Sequence, residues 1–127
     1  MYEVSVQAQF SAAHRVRLPD GELEPLHGHD WKVTATFAGP ELDASGMLVD
    51  FVLAEWRLRE IVTQLHHADL NTVSLMRGLN PTAEYVAKRI FDSLAEDESL
   101  RTTLARVAVT EAPGCVATYL SRGPRAD

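Results

Sequence analysis

Leu26-His27-Gly28-His29-Asp30-Trp31-Lys32-Val33 is the stretch from which the fold can be read. Two histidines two positions apart run into an alternation of apolar and polar residues, where a loop becomes a strand. Side chains i and i+2 of a strand point to the same face, so His27 and His29 aim together. Gly28 between them has no side chain and leaves the edge open to a ligand or a second backbone. Two neutral imidazoles at one point supply two of the three protein ligands of an open, catalytic type of zinc site. Trp31, Val33, Ala35 and Phe37 keep the parity of the histidines. The strand, from His29 to about Ala38, therefore has one apolar face that ends in imidazoles.

Upstream, Tyr2, Val4, Val6, Ala8, Phe10 and Ala12 alternate with Glu3, Ser5, Gln7, Gln9 and Ser11. This is a long first strand with one buried face, and His14 continues that face at its end. Antiparallel pairing of the two strands brings His14 against His27 and His29, which completes a zinc triad. The connecting loop, Arg15 to Leu26, contains Pro19-Asp20-Gly21 and Pro25 and reads as turn-rich. It also carries Glu22 and Glu24, two carboxylates just ahead of the histidine pair.

Downstream, Gly39-Pro40 and Asp43-Ala44-Ser45-Gly46 mark turns, and Asp50 stands as N-cap to a helix. The helix stripe is Phe51, Ala54, Leu58, Ile61/Val62 and Leu65, with its end expected near His66-His67. A second helix is predicted with Asn80 as cap, Pro81 in the first helical position and Glu84 in the first turn. Glu96-Asp97-Glu98 ends it as a solvated acidic turn. The last third reads as a hairpin: Leu104 to Glu111 alternates, Ala112-Pro113-Gly114 turns, and Cys115 to Leu120 returns. Glu111 shares parity with Val107 and Val109, so a carboxylate ends another apolar face. Cys115 is expected to pack as a small hydrophobe. The order β-β-α-α-β-β predicts an α+β fold, an antiparallel sheet with two helices on one face, in a single domain over residues 1–121 with a tail over 122–127.

Composition narrows the function. The chain of 127 residues, 46% hydrophobic and 24% charged, fits one core. A net charge of −6, with Lys32 and Lys88 the only lysines, argues against nucleic acid as partner. No apolar run approaches a membrane span and no secretory signal is visible at Met1-Tyr2-Glu3, so no membrane partner and a cytoplasmic location are expected. One cysteine excludes an intrachain disulfide and a Cys-rich zinc knuckle.

The sequence resembles the 6-pyruvoyl-tetrahydropterin synthase / 6-carboxytetrahydropterin synthase family over nearly its whole length. The matching residues are Phe10-Ser11-Ala12-Ala13-His14, Leu26-His27-Gly28-His29, Val49-Asp50-Phe51, Leu65-His66-His67 through Leu70-Asn71, Asn80-Pro81-Thr82-Ala83-Glu84 and Val109-Thr110-Glu111. The resemblance implies the tunnelling fold and a homo-oligomer, usually a hexamer. It implies zinc on His14, His27 and His29, and a pterin substrate, dihydroneopterin triphosphate. Glu111 beside Thr110 would anchor the amino-pyrimidine edge by a bidentate pair, with Thr82 and Glu84 as further substrate-binding residues. His67, His66 and Asp69 fall in the segment that carries the family's proton-transfer pair. Two positions depart from the pattern. Leu23 stands where the family has a cysteine, and His66 stands where it has the aspartate of an Asp-His pair. A related branch uses a glutamate in place of the cysteine and forms 6-hydroxymethyl-dihydropterin; Glu24 or Glu22, flanking Leu23, would be its counterpart as catalytic base, and a non-catalytic zinc- and pterin-binding homologue is the other alternative.

Overall fold

A computed structural model describes residues 1–122; the tail expected over 122–127 lies, from residue 123 on, outside the described residues. The elements run β1 (Tyr2–His14), β2 (His27–Gly39), α1 (Phe51–Thr63), β3 (Ala68–Asp69), a 3-10 turn (Ser74–Met76), α2 (Ala83–Leu94), α3 (Glu98–Arg101), β4 (Leu104–Ala112) and β5 (Cys115–Leu120). The sheet order is β3-β1-β2-β4-β5. β1 and β2 pair antiparallel through their full length, with Ala12 opposite His29 and His14 opposite His27. The alternation of the sequence decides which face is buried: Phe10, Ala12, Trp31, Val33, Ala35, Phe37, Val107 and Val109 all pack inward. Ala54, Leu58, Ile61 and Val62 of α1 and Val86, Ala87, Ile90 and Leu94 of α2 close the core from that one side.

Five expectations are corrected. The sheet is mixed, because β3 adds to the outer edge of β1 in parallel, Ala12 opposite Ala68 and Ala13 opposite Asp69. A two-residue strand of Ala and Asp has no alternation to betray it. A third, short helix, α3, follows the acidic turn, with Asp97 as its N-cap accepting from Ser99 N. Helix α1 stops at Thr63, short of His66-His67, and the N-cap of α2 is Thr82 in place of Asn80: Thr82 Oγ1 accepts the Tyr85 N–H, while Pro81 lies before the helix. Cys115 is exposed, since it opens the edge strand beside the Pro113-Gly114 turn.

The Asn80 side chain is used elsewhere. Its Oδ1 accepts the Arg17 N–H at 2.7 Å and its Nδ2 donates to the Arg17 carbonyl at 3.0 Å. Asn71 does the same for Arg15, at 2.8 and 2.9 Å. Two side-chain amides thus stand in for strand partners and carry the β1 edge past His14, meeting the backbone's demand for a donor and an acceptor at each rung.

Candidate metal centre and adjoining cleft

The ends of β1, β2 and β4 meet at one rim of the sheet. His14, His27, His29 and Glu111 come together there, one ligand atom of each lying within 4.8 Å of the others. His14 Nδ1 donates to the Pro81 carbonyl and His27 Nδ1 to the Pro25 carbonyl, both at 2.8 Å. A carbonyl only accepts, so each neutral ring has its proton on Nδ1 and turns the Nε2 lone pair inward. Among the described residues His14 Nε2 and His29 Nε2 are buried with no hydrogen-bond partner, and Glu111 Oε1 stands 2.9 and 3.2 Å from them. The His14 lone pair and the Glu111 oxygen that faces it at 2.9 Å repel one another unless a cation stands between them. The donor set fits a zinc ion, with three imidazoles as ligands and an oxygen neighbour.

Glu111 keeps the parity of the buried Val107 and Val109 and so faces the histidines, beside a β-irregularity between Thr110 and Ala112 in the pairing with β5. Thr110, opposite Lys32 in register, lies on the other face of the strand. Glu24 occupies the mouth: Oε1 accepts the Val16 N–H at 2.9 Å and lies 3.9 Å from His27 Nε2. Glu22 is exposed in the turn, and Leu23 is 41% exposed. Thr82, as helix cap, is next to the Pro81 carbonyl that holds His14, and Glu84 is exposed in the first turn of α2.

A cleft of ≈ 570 Å³ shares His29 with the centre; it is lined by Gly28, His29 and Asp30 of β2 on one side and by His67 and Asp69 on the other, with Ser11 and Ala13 of β1 between. A Cβ on Gly28 would meet only the Ala12 carbonyl at 3.8 Å, so the glycine keeps the cleft open without relieving a clash. Asp69 Oδ1 accepts the Asn71 N–H. His66 and His67 stack, ring centroids 3.7 Å apart. Sequence reasoning missed Asp30, whose Oδ1 accepts from Ser11 Oγ at 2.6 Å, and the two carbonyls behind the histidines; Pro25 and Pro81, each adjoining a motif, were the available signal.

Burial disfavours the charged form of His29 and lowers its pKa below the ordinary 6.5; His14 and His27 add to this, and the Glu111 and Glu24 carboxylates oppose it. The unfolded chain therefore binds the proton more readily than the folded one. Stability of the metal-free protein is expected to be complete above about pH 6.5 and to decline as pH falls through that value. Thermal melts of chelator-treated protein between about pH 8 and about pH 5 check this; a rise in melting temperature on acidification would show that the carboxylates dominate.

An α+β sheet with a three-histidine centre on its rim and a cleft beside it is the class this chain represents. The 6-pyruvoyl tetrahydropterin synthase family profile matches residues 3–122, and the chain belongs to that family. The 6-carboxy-5,6,7,8-tetrahydropterin synthase of Bacillus subtilis is 35% identical over 129 residues, covering 93% of this chain and 84% of the relative. The structure of Caenorhabditis elegans 6-pyruvoyl tetrahydropterin synthase superposes with a TM-score of 0.82 at 23% identity, covering 94% of this chain and 95% of that one. Plasmodium vivax 6-pyruvoyltetrahydropterin synthase, in a form described as a catalytic residue mutant with glutamate changed to alanine, gives 0.78 at 22% identity over 93% and 96%. These likenesses establish the tunnelling fold, and the chain is tetrahydropterin synthase-like.

Proposed function

We propose that the chain is a zinc-dependent pterin lyase of the 6-carboxytetrahydropterin synthase kind, acting on the side chain of 7,8-dihydroneopterin triphosphate. The observation that carries the reading is the inward-facing imidazole cluster with the Glu24 carboxylate at its mouth, 3.9 Å from His27 Nε2. His14, His27 and His29 hold the metal, which when bound stabilises negative charge developing on the substrate's side-chain oxygens. Glu24 takes a proton from the side chain in place of the family's cysteine, and His67, across the cleft with Asp69, passes a proton back. Glu111 anchors the amino-pyrimidine edge by turning its carboxylate from the imidazoles to the ring N–H and amine; Thr110, Thr82 and Glu84 complete the assignment made by resemblance. The outer edge of β5 and that of β1 over Glu3 to Gln9, which β3 does not reach, support a homo-oligomer, a hexamer by resemblance, and the exposed thiol of Cys115 suits a reducing cytoplasm.

One observation favours a second product. Glu24 lies beside the centre, and the Plasmodium vivax relative has a glutamate described as a catalytic residue; a glutamate base supports retro-aldol release of 6-hydroxymethyl-dihydropterin. Incubating zinc-loaded protein with dihydroneopterin triphosphate and identifying the product by mass separates the two. Formation of neither product removes the lyase reading.

Glu111→Gln separates anchor from ligand. The variant is expected to keep its zinc on three histidines and to bind a pterin analogue more weakly by about 1.5–3 kcal/mol, since an amide replaces a charged acceptor. Calorimetry and metal analysis read the two effects. Loss of zinc with unchanged pterin affinity would make Glu111 a ligand only.

A further inference from the structure

The β1 edge that faces away from β2 is sealed rung by rung from Ser11 to Arg17. Ala13 is paired by β3 and by the Leu70 N–H, and Arg15 and Arg17 are each held on both backbone groups by an asparagine amide. Ser11 is the first rung. Its carbonyl accepts the His67 N–H at 2.6 Å, and its own N–H donates to His66 Nδ1 at 3.1 Å. A ring nitrogen accepts only when it has no proton, so this bond selects the neutral His66 with its proton on Nε2. His67 has φ 58°, a left-handed conformation that a side chain disfavours, and its neighbours must hold it there. His67 lines the cleft opposite His29.

We propose that His66 is a positioning residue: by accepting the Ser11 N–H it pins the left-handed turn at His67 to the end of β1, and so sets the His67 imidazole in the cleft. His66 acts through the Ser11 backbone, as Asn71 and Asn80 act on Arg15 and Arg17. Only its kinetic consequence rests on the pterin-lyase reading.

The test uses the zinc-loaded full chain. Nitrogen NMR of the wild type should show His66 Nδ1 unprotonated. In His66→Asn the side-chain carbonyl can take the place of Nδ1; in His66→Ala nothing can. The Ser11 amide should exchange with solvent faster in the alanine variant and at the wild-type rate in the asparagine variant. Turnover should fall about a hundredfold in His66→Ala with KM and zinc content unchanged, and return to within about threefold in His66→Asn. A proton on Nδ1, retained Ser11 protection in the alanine variant, or failure of asparagine to restore kcat would overturn the assignment. If the alanine variant does not fold, the ring tautomer and the asparagine variant decide. If the wild type turns over no pterin, the lyase reading fails, while tautomer and exchange still decide the role of His66.

Discussion

His14→Ala is expected to cost the protein both its metal and part of its stability, whereas His27→Ala costs it the metal alone. His14 is fully buried, packs edge-on to Trp31 at 5.0 Å and donates to the Pro81 carbonyl. Truncation leaves a cavity beside Trp31 and a carbonyl without its donor, together worth about 2–4 kcal/mol in metal-free protein. The His27 side chain is 37% exposed, and its hydrogen-bond partner is the Pro25 carbonyl of its own loop; water can replace that contact, so the metal-free change is within about 0.5 kcal/mol. Metal analysis and denaturant midpoints of chelated protein read the two effects separately. Full zinc in His27→Ala would remove that residue from the centre, and equal midpoints for the two variants would remove His14 from the core.

Glu24→Gln is expected to lower kcat by about 10²–10⁴ while leaving the fold and the zinc content intact. The side-chain oxygen bonded to the Val16 N–H is present in both residues, and the Glu24 N–H still donates to the Val16 carbonyl. The substitution therefore removes basicity and spares the loop, which Glu24→Ala would not. Glu22→Gln serves as the control, because Glu22 stands exposed in the turn, where its N–H meets Asp20. A glutamine variant as active as wild type would leave Glu24 a fastener of the loop and no more.

The rim was legible because parity is a local property. His14, His27 and His29 each extend an apolar alternation, and a strand pairing without register shifts delivers Ala12 to His29 and His14 to His27. Glu111 was legible for the same reason. What escaped has no period. β3 is two residues long, and its place on β1 depends on a left-handed residue at His67. The asparagine amides act across 56 and 63 residues of chain, and a side chain that imitates a strand partner looks like any other polar residue in a loop. Asn80 illustrates the cost: local helix rules name it a cap, but the long-range demand of the Arg17 backbone claims it, and Thr82 caps instead. Cys115 follows strand parity yet stays exposed because it opens an edge strand.

The seal along β1 also acts as a ruler. Counting back by twos from Ser11, the residues that turn their backbone groups to the same outer edge are Gln9, Gln7, Ser5 and Glu3, and β3 does not reach them. A strand that adds to this edge finds four rungs on offer and the fifth already taken by His66 and His67. Sliding it two residues further would drive it into the His66 ring, so its overlap is limited before any of its side chains is consulted. β5, with six residues on the opposite border of the sheet, has the length for such a stop to matter. Edge strands invite indiscriminate pairing; here the groups that shape the cleft also measure how far a neighbour can come.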